Sequence, residues 1–265
     1  MSVFDPYIRK VFEYVQAMQD SGKQVRVFNS PGDPHRLLEG GLPVRVGPGA
    51  GSGLVLRGDT FAELGSPEAG SSAFPLWTNN TSLVRNGRII LIGLDILESR
   101  GVSLPFGQIL IAAGRELSEK QHSLLDESQY VADQIEGYMV KSTPGRMWSR
   151  VSNSAAERGF GFEALGKALM AIYKSQVSQI EAMEIVFVTS GKEDVRKLDE
   201  IAEQVKKISK DIIRKTWLSR GYDILECTLR WDCNSCPDKP VCDDIKSLIT
   251  VRKKKSSKRQ ASPKK

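Results

Sequence analysis

The chain has 265 residues, a net charge of +6 and an apolar fraction of 40%, ordinary values for a soluble globular protein of one large domain or two small ones. No run of about 18 apolar residues occurs, so no membrane span is expected. Residues 1–20 lack the continuous apolar core of a secretory signal, so the cytoplasm is the expected location.

Taken in chain order, residues 4–18 read as a helix. Phe4, Tyr7, Ile8, Val11, Phe12, Val15 and Met18 recur at three- and four-residue steps, Asp5 and Pro6 suit a first turn, and Gly22 is a stop. Residues 25–75 are rich in Gly and Pro, with short extended pieces expected at 24–28, 42–46 and 54–57. The glycines from Gly47 to Gly53 suggest a phosphate loop, but no Lys-Ser/Thr follows them, so a turn is the better reading.

From residue 87 the pattern sharpens. Two apolar runs bounded by glycine, Gly87 to Gly93 and Gly107 to Gly114, read as buried strands. Ser118 with Gln121 forms a capping box for a helix expected to run to about Met139, with Leu124, Leu125, Tyr130, Val131, Ile135 and Met139 inward. A strand at 146–151, a box at Ser154 and Glu157, a helix at 162–179 and a strand at 184–189 follow. Ser190 with Glu193 opens a helix at 192–208, and a shorter one is expected at 210–218. Strand and helix alternate, so the fold class is α/β: a mixed sheet with flanking helices, followed by a small Cys-rich metal-binding loop. The expected divisions are 1–70, 71–220, 221–250 and 251–265. His35 and His122, the only histidines, fall in no catalytic pattern and read as surface or capping residues.

All four cysteines lie within sixteen residues: Cys227, Cys233, Cys236 and Cys242, spaced C-x5-C-x2-C-x5-C. Thiolates are strong ligands for zinc and iron, and Pro237 and Pro240 prevent one continuous helix, so the four can converge on one metal. Disulfides belong to oxidising compartments and are the weaker reading. Spacing alone leaves zinc and an iron–sulfur cluster equal. Residues 251–265 carry eight Lys or Arg and no acid; this exceeds the whole net charge of +6, so residues 1–250 carry −2. That tail reads as a disordered, solvated terminus. Contact with nucleic acid or an acidic partner is the alternative reading of the tail; no aromatic residue interleaves with its lysines, so base stacking is not indicated.

Several segments stand in the order of a known family. They are Ser72-Ala-Phe-Pro-Leu-Trp77, Asn86 to Asp95, Leu104-Pro-Phe-Gly107 with Ala113-Gly-Arg115, Trp148-Ser-Arg-Val-Ser152, Gly159-Phe160 with Leu165-Gly166, Lys192-Glu-Asp-Val195 and Glu226-Cys-Thr-Leu229. Over about residues 70–242 the chain resembles acetyl-CoA synthase, the β subunit of the carbon monoxide dehydrogenase/acetyl-CoA synthase complex. The resemblance implies anaerobic one-carbon metabolism and a corrinoid iron–sulfur protein, or another subunit of the pathway, as partner. It also implies a [4Fe-4S] cluster on Cys227, Cys233, Cys236 and Cys242, with zinc as the alternative, and a region near coenzyme A. Arg115, Arg146, Trp148 and Arg150 would supply a basic and aromatic face for that ligand. The sequence departs from the family at Arg230, where a family cysteine stands. It also lacks the downstream Cys-Gly-Cys that holds nickel, so carbonyl–methyl coupling at nickel is not expected of this chain alone.

Overall fold

The computed structural model describes residues 2–30, 41–50, 54–99, 101–128, 134–143 and 146–219. The chain divides into two units, Met1–Ser209 and Lys210–Lys265. The described part of the second is 210–219, the end of a helix. Cys227, Cys233, Cys236, Cys242 and the basic tail lie outside the described residues.

The first unit contains two mixed sheets. Five strands form the larger, in the order β1 (Val25–Asn29), β4 (Arg88–Ile92), β9 (Ala182–Val188), β6 (Phe106–Ala113), β3 (Ser71–Thr78). β4–β9 and β6–β3 pair in parallel; β1–β4 and β6–β9 are antiparallel. Every residue of β6 and β9 is buried, as expected of central strands covered on both faces. Pro75 cannot donate to a ladder, and β3 lies at an edge, where proline is tolerated.

Helix α1 (Asp5–Asp20) and helix α4 (Phe162–Gln176) cover opposite faces of this sheet. The proof lies in two consecutive residues of β4, whose side chains must point apart. The Arg88 guanidinium lies over the Phe12 ring of α1, 5.5 Å from its centroid, whereas Ile89 packs on Gly166 of α4. A Cβ on Gly166 would come within 2.7 Å of Ile89, so glycine lets helix and sheet approach closely. Beneath Arg88, fully buried Glu184 pairs with it. Burial pushes the Glu184 carboxyl up, and Arg88 opposes that push.

The smaller sheet runs β5 (Ser103–Leu104), β2 (Thr60–Leu64), β8 (Arg146–Ser152), β7 (Tyr138–Thr143). Its inner side holds Ala62, Leu64, Leu104, Tyr138, Met147, Ser149 and Val151, all buried. It joins the larger sheet where Met147 N donates to Ser71 Oγ at 3.3 Å. Gly65 makes that junction possible: its φ is +69°, and a Cβ there would lie 2.3 Å from the Met147 carbonyl oxygen.

The α/β class with mixed sheets and flanking helices stands. Several boundaries move. The helix expected to reach Met139 is α2 (Glu119–Ser128); Ser118 N donates to Gln121 Oε1 at its start. The chain then turns at Gly137, φ +72°, whose Cβ would strike Ser152 and Ala155, and Met139 lies on β7. Leu124 is 40% exposed rather than inward. Tyr130 and Val131 lie outside the described residues. Ser152, not Ser154, caps the short α3 (Asn153–Glu157) by accepting from Ala155 N.

The helix expected at 192–208 is two: α5 (Lys192–Arg196) and α6 (Asp199–Ser219). Buried Leu198 in the break packs toward Gly107. Of the early extended pieces, 24–28 stands as β1; 42–46 contributes only a bridge from Val46 to Ile135; and 54–57 precedes a strand rather than forming one. His122 is buried, not a surface residue, and stacks on Phe4 with ring centroids 5.4 Å apart. No described helix is long and apolar enough to cross a membrane.

Candidate functional site

β8 alternates from Arg146 to Val151. Met147, Ser149 and Val151 point into the core, and Arg146, Trp148 and Arg150 therefore share the outer face. Antiparallel pairing sets Lys141 of β7 opposite Trp148 and Met139 opposite Arg150, while Glu63 of β2 lies opposite Arg150 on the other side. Three cations and one carboxylate thus share this face with one indole, on a body whose residues 1–250 carry net negative charge.

The contacts are specific. The Arg150 guanidinium lies over the Trp148 ring at 4.9 Å from the centroid, and Lys141 Nζ at 5.0 Å. Arg150 Nε donates to Glu63 Oε1 at 2.9 Å, with both side chains largely covered. Arg146 is exposed and within electrostatic reach of Asp199. The Trp148 ring N–H is buried without an acceptor among the described residues, so stacking rather than hydrogen bonding orients the ring. Such a face suits a planar, negatively charged ligand: a ring to stack and guanidinium forks for phosphate.

Arg115 does not join this cluster. It follows β6, at the opposite end of the eight-residue β3–β6 ladder from Ser71, where β8 attaches. At strand spacing that separation is on the order of 20 Å. Arg115 is exposed and held by Glu181, which accepts from its backbone N at 2.8 Å and its Nε at 3.3 Å. The preceding Gly114 is required by packing, since a Cβ there would lie 1.9 Å from the Gln179 carbonyl oxygen.

A concavity of about 520 Å³ opens at the carboxyl end of β4. Arg26, Phe28, Asp95, Glu98, Gly161 and Lys167 contribute to its lining. Asp95 accepts from Leu97 N and Phe162 N, capping the approach to α4, and burial raises its carboxyl above the ordinary range against those bonds. Arg26 grips Glu98 through both terminal nitrogens, at 2.9 and 2.6 Å. Sequence reasoning passed over this cleft. Its signal was there: Asp95 ends one family-like segment and Gly159 belongs to another, and only folding brings them together. Among the described residues no three His, Cys, Asp or Glu side chains form a metal-binding group.

Comparison with known sequences adds the last observation. A family profile described as CO dehydrogenase/acetyl-CoA synthase complex beta subunit matches residues 42–195. The acetyl-CoA decarbonylase/synthase complex subunit beta of Methanopyrus kandleri is 30% identical over 205 residues, covering 76% of this chain and 43% of that protein. Subunit beta 1 of Methanosarcina thermophila is 26% identical over 204 residues, 76% of this chain and 42% of its own. The Methanothermobacter thermautotrophicus subunit beta is 27% identical over 150 residues. The chain thus spans less than half the length of these relatives.

Proposed function

The chain belongs to the family of the CO dehydrogenase/acetyl-CoA synthase complex beta subunit, and from that premise we propose that it serves as a subunit of such a complex in one-carbon metabolism. The observation that carries this reading is the collinear match over residues 42–195, which takes in most of the larger sheet together with the Trp148 row. The outer face of β8 receives the nucleotide end of coenzyme A, with Trp148 under the base and Arg146 and Arg150 facing phosphate. Arg115, at the far end of the larger sheet, serves a more distant part of the ligand or a partner.

Cys227, Cys233, Cys236 and Cys242 hold a [4Fe-4S] cluster, since four thiolates saturate one cubane; zinc is the competing occupant. Such a cluster supplies one-electron chemistry. The partner is a corrinoid iron–sulfur protein or another subunit of the same pathway, and the role is electron delivery, docking or methyl handling. Acetyl assembly at nickel is not assigned to these 265 residues, which contain no Cys-Gly-Cys.

The test is anaerobic purification of the full chain, followed by metal analysis and calorimetric titration with coenzyme A. About four irons with matching sulfide, and binding that Trp148→Leu abolishes, are expected. A single zinc overturns the cluster, and absence of binding overturns the coenzyme A site.

A further inference from the structure

The two cations on the Trp148 ring are not held alike. Arg150 is anchored: Glu63 takes its Nε at 2.9 Å, and its side chain is only 17% exposed. Its remaining amino groups have no acceptor among the described residues and stay available. Lys141 is exposed, lies on an edge strand of its sheet, and has no carboxylate partner among the described residues. Its one contact of note is the indole, 5.0 Å away. An exposed lysine over a half-buried ring gains little from it and keeps a flexible stem of four carbons. The arginine on the same ring repels it.

We propose that Lys141 is the specificity-determining residue of this face, a displaceable cation that yields its place on Trp148 to a ligand's base and moves onto the ligand's phosphate; the assignment rests on the coenzyme A reading. Arg150 cannot yield, because Glu63 holds it. An incoming base therefore takes the ring area that Lys141 leaves. A ligand carrying both a base and phosphate returns a partner to the released ammonium. A bare nucleoside displaces the lysine and returns none. The face thus discriminates for phosphorylated adenine nucleotides and against adenosine, through a residue that stacking alone would class as an obstacle.

The test is calorimetric titration of the full chain with coenzyme A, dephospho-coenzyme A and adenosine, for the unaltered protein and for Lys141→Ala and Lys141→Arg. Lys141→Ala is expected to weaken coenzyme A about ten-fold, the worth of one charge-assisted contact, while adenosine binds as well as before or better. The coenzyme A-to-adenosine ratio then narrows, and Lys141→Arg restores it. A ratio that Lys141→Ala leaves unmoved, or that Lys141→Arg fails to restore, overturns the assignment while leaving the binding reading in place. No coenzyme A binding by the unaltered chain overturns both.

Discussion

The two sheets of the first unit use the same kind of strand for opposite ends. β6 and β9 of the larger sheet bury every side chain, with α1 and α4 on the two faces. β8 of the smaller sheet buries one side and turns Arg146, Trp148 and Arg150 outward. A strand covered on both faces has no choice of polarity and can only be packed. A strand covered on one face keeps every second residue for other work. The central strands of the larger sheet are thus given over to packing, while β8 of the smaller keeps a polar and aromatic outer face.

Substitutions should separate the two roles, most severely in the larger sheet. Phe187 is fully buried on β9, 4.8 Å from the Phe162 ring and 6.1 Å from Phe106. Phe187→Ala should cost about 3–5 kcal/mol in a denaturant titration, since the aromatic cluster cannot close over the hole. Arg88→Ala leaves the Glu184 carboxylate buried without its cation and should cost about 3 kcal/mol at neutral pH. If Arg88→Ala is neutral, that pair contributes nothing to the larger sheet's hold.

A pH series probes the same region. His122 is buried against Phe4, and burial pushes its imidazole down from 6.5 to about 4. The unfolded chain takes up that proton near its ordinary value, while the folded chain resists until about 4. Stability from this group is therefore full above about pH 6.5 and is lost as the pH falls toward 4, by on the order of 2–3 kcal/mol. His122→Phe should flatten that slope in urea midpoints measured from pH 7 to 4; an unchanged slope would show that other groups carry it.

The smallest stability effect belongs to the outer face of the smaller sheet. Trp148 is half-buried and its N–H has no acceptor to lose among the described residues. Trp148→Leu should move the thermal midpoint by less than about 1 kcal/mol's worth while abolishing coenzyme A binding. A large loss of stability in this variant would erase the contrast between the sheets.

The same contrast explains which parts of the chain could be read in advance. Glycine-bounded runs such as 87–93 and 107–114 announced themselves, because a strand buried on both faces leaves an unbroken apolar signature. Residues 138–143 did not: apolar Met139 between Tyr138 and Val140 breaks the alternation, and it continues from Ile135 the apolar spacing that a helix from Ser118 would need. The break at Leu198 was equally hidden, because the residues around it suit a helix and only packing against Gly107 favours the interruption. Of the candidate face, Arg146, Trp148 and Arg150 could be named through the family resemblance, together with Arg115, which lies elsewhere. Glu63 and Lys141 could not, since each comes from a different strand and meets Trp148 or Arg150 only through sheet register.

Local order in this protein follows from the chain alone: where apolar runs lie, where glycine and proline break them, and which class of fold they build. Those are properties of neighbouring residues and act before any long-range contact forms. Which cation a carboxylate anchors, and which has no such partner among the described residues, was decided by the fold. A guanidinium is fixed only when a carboxylate arrives at the right height from another strand, and for Arg150 that carboxylate is Glu63, 87 positions away.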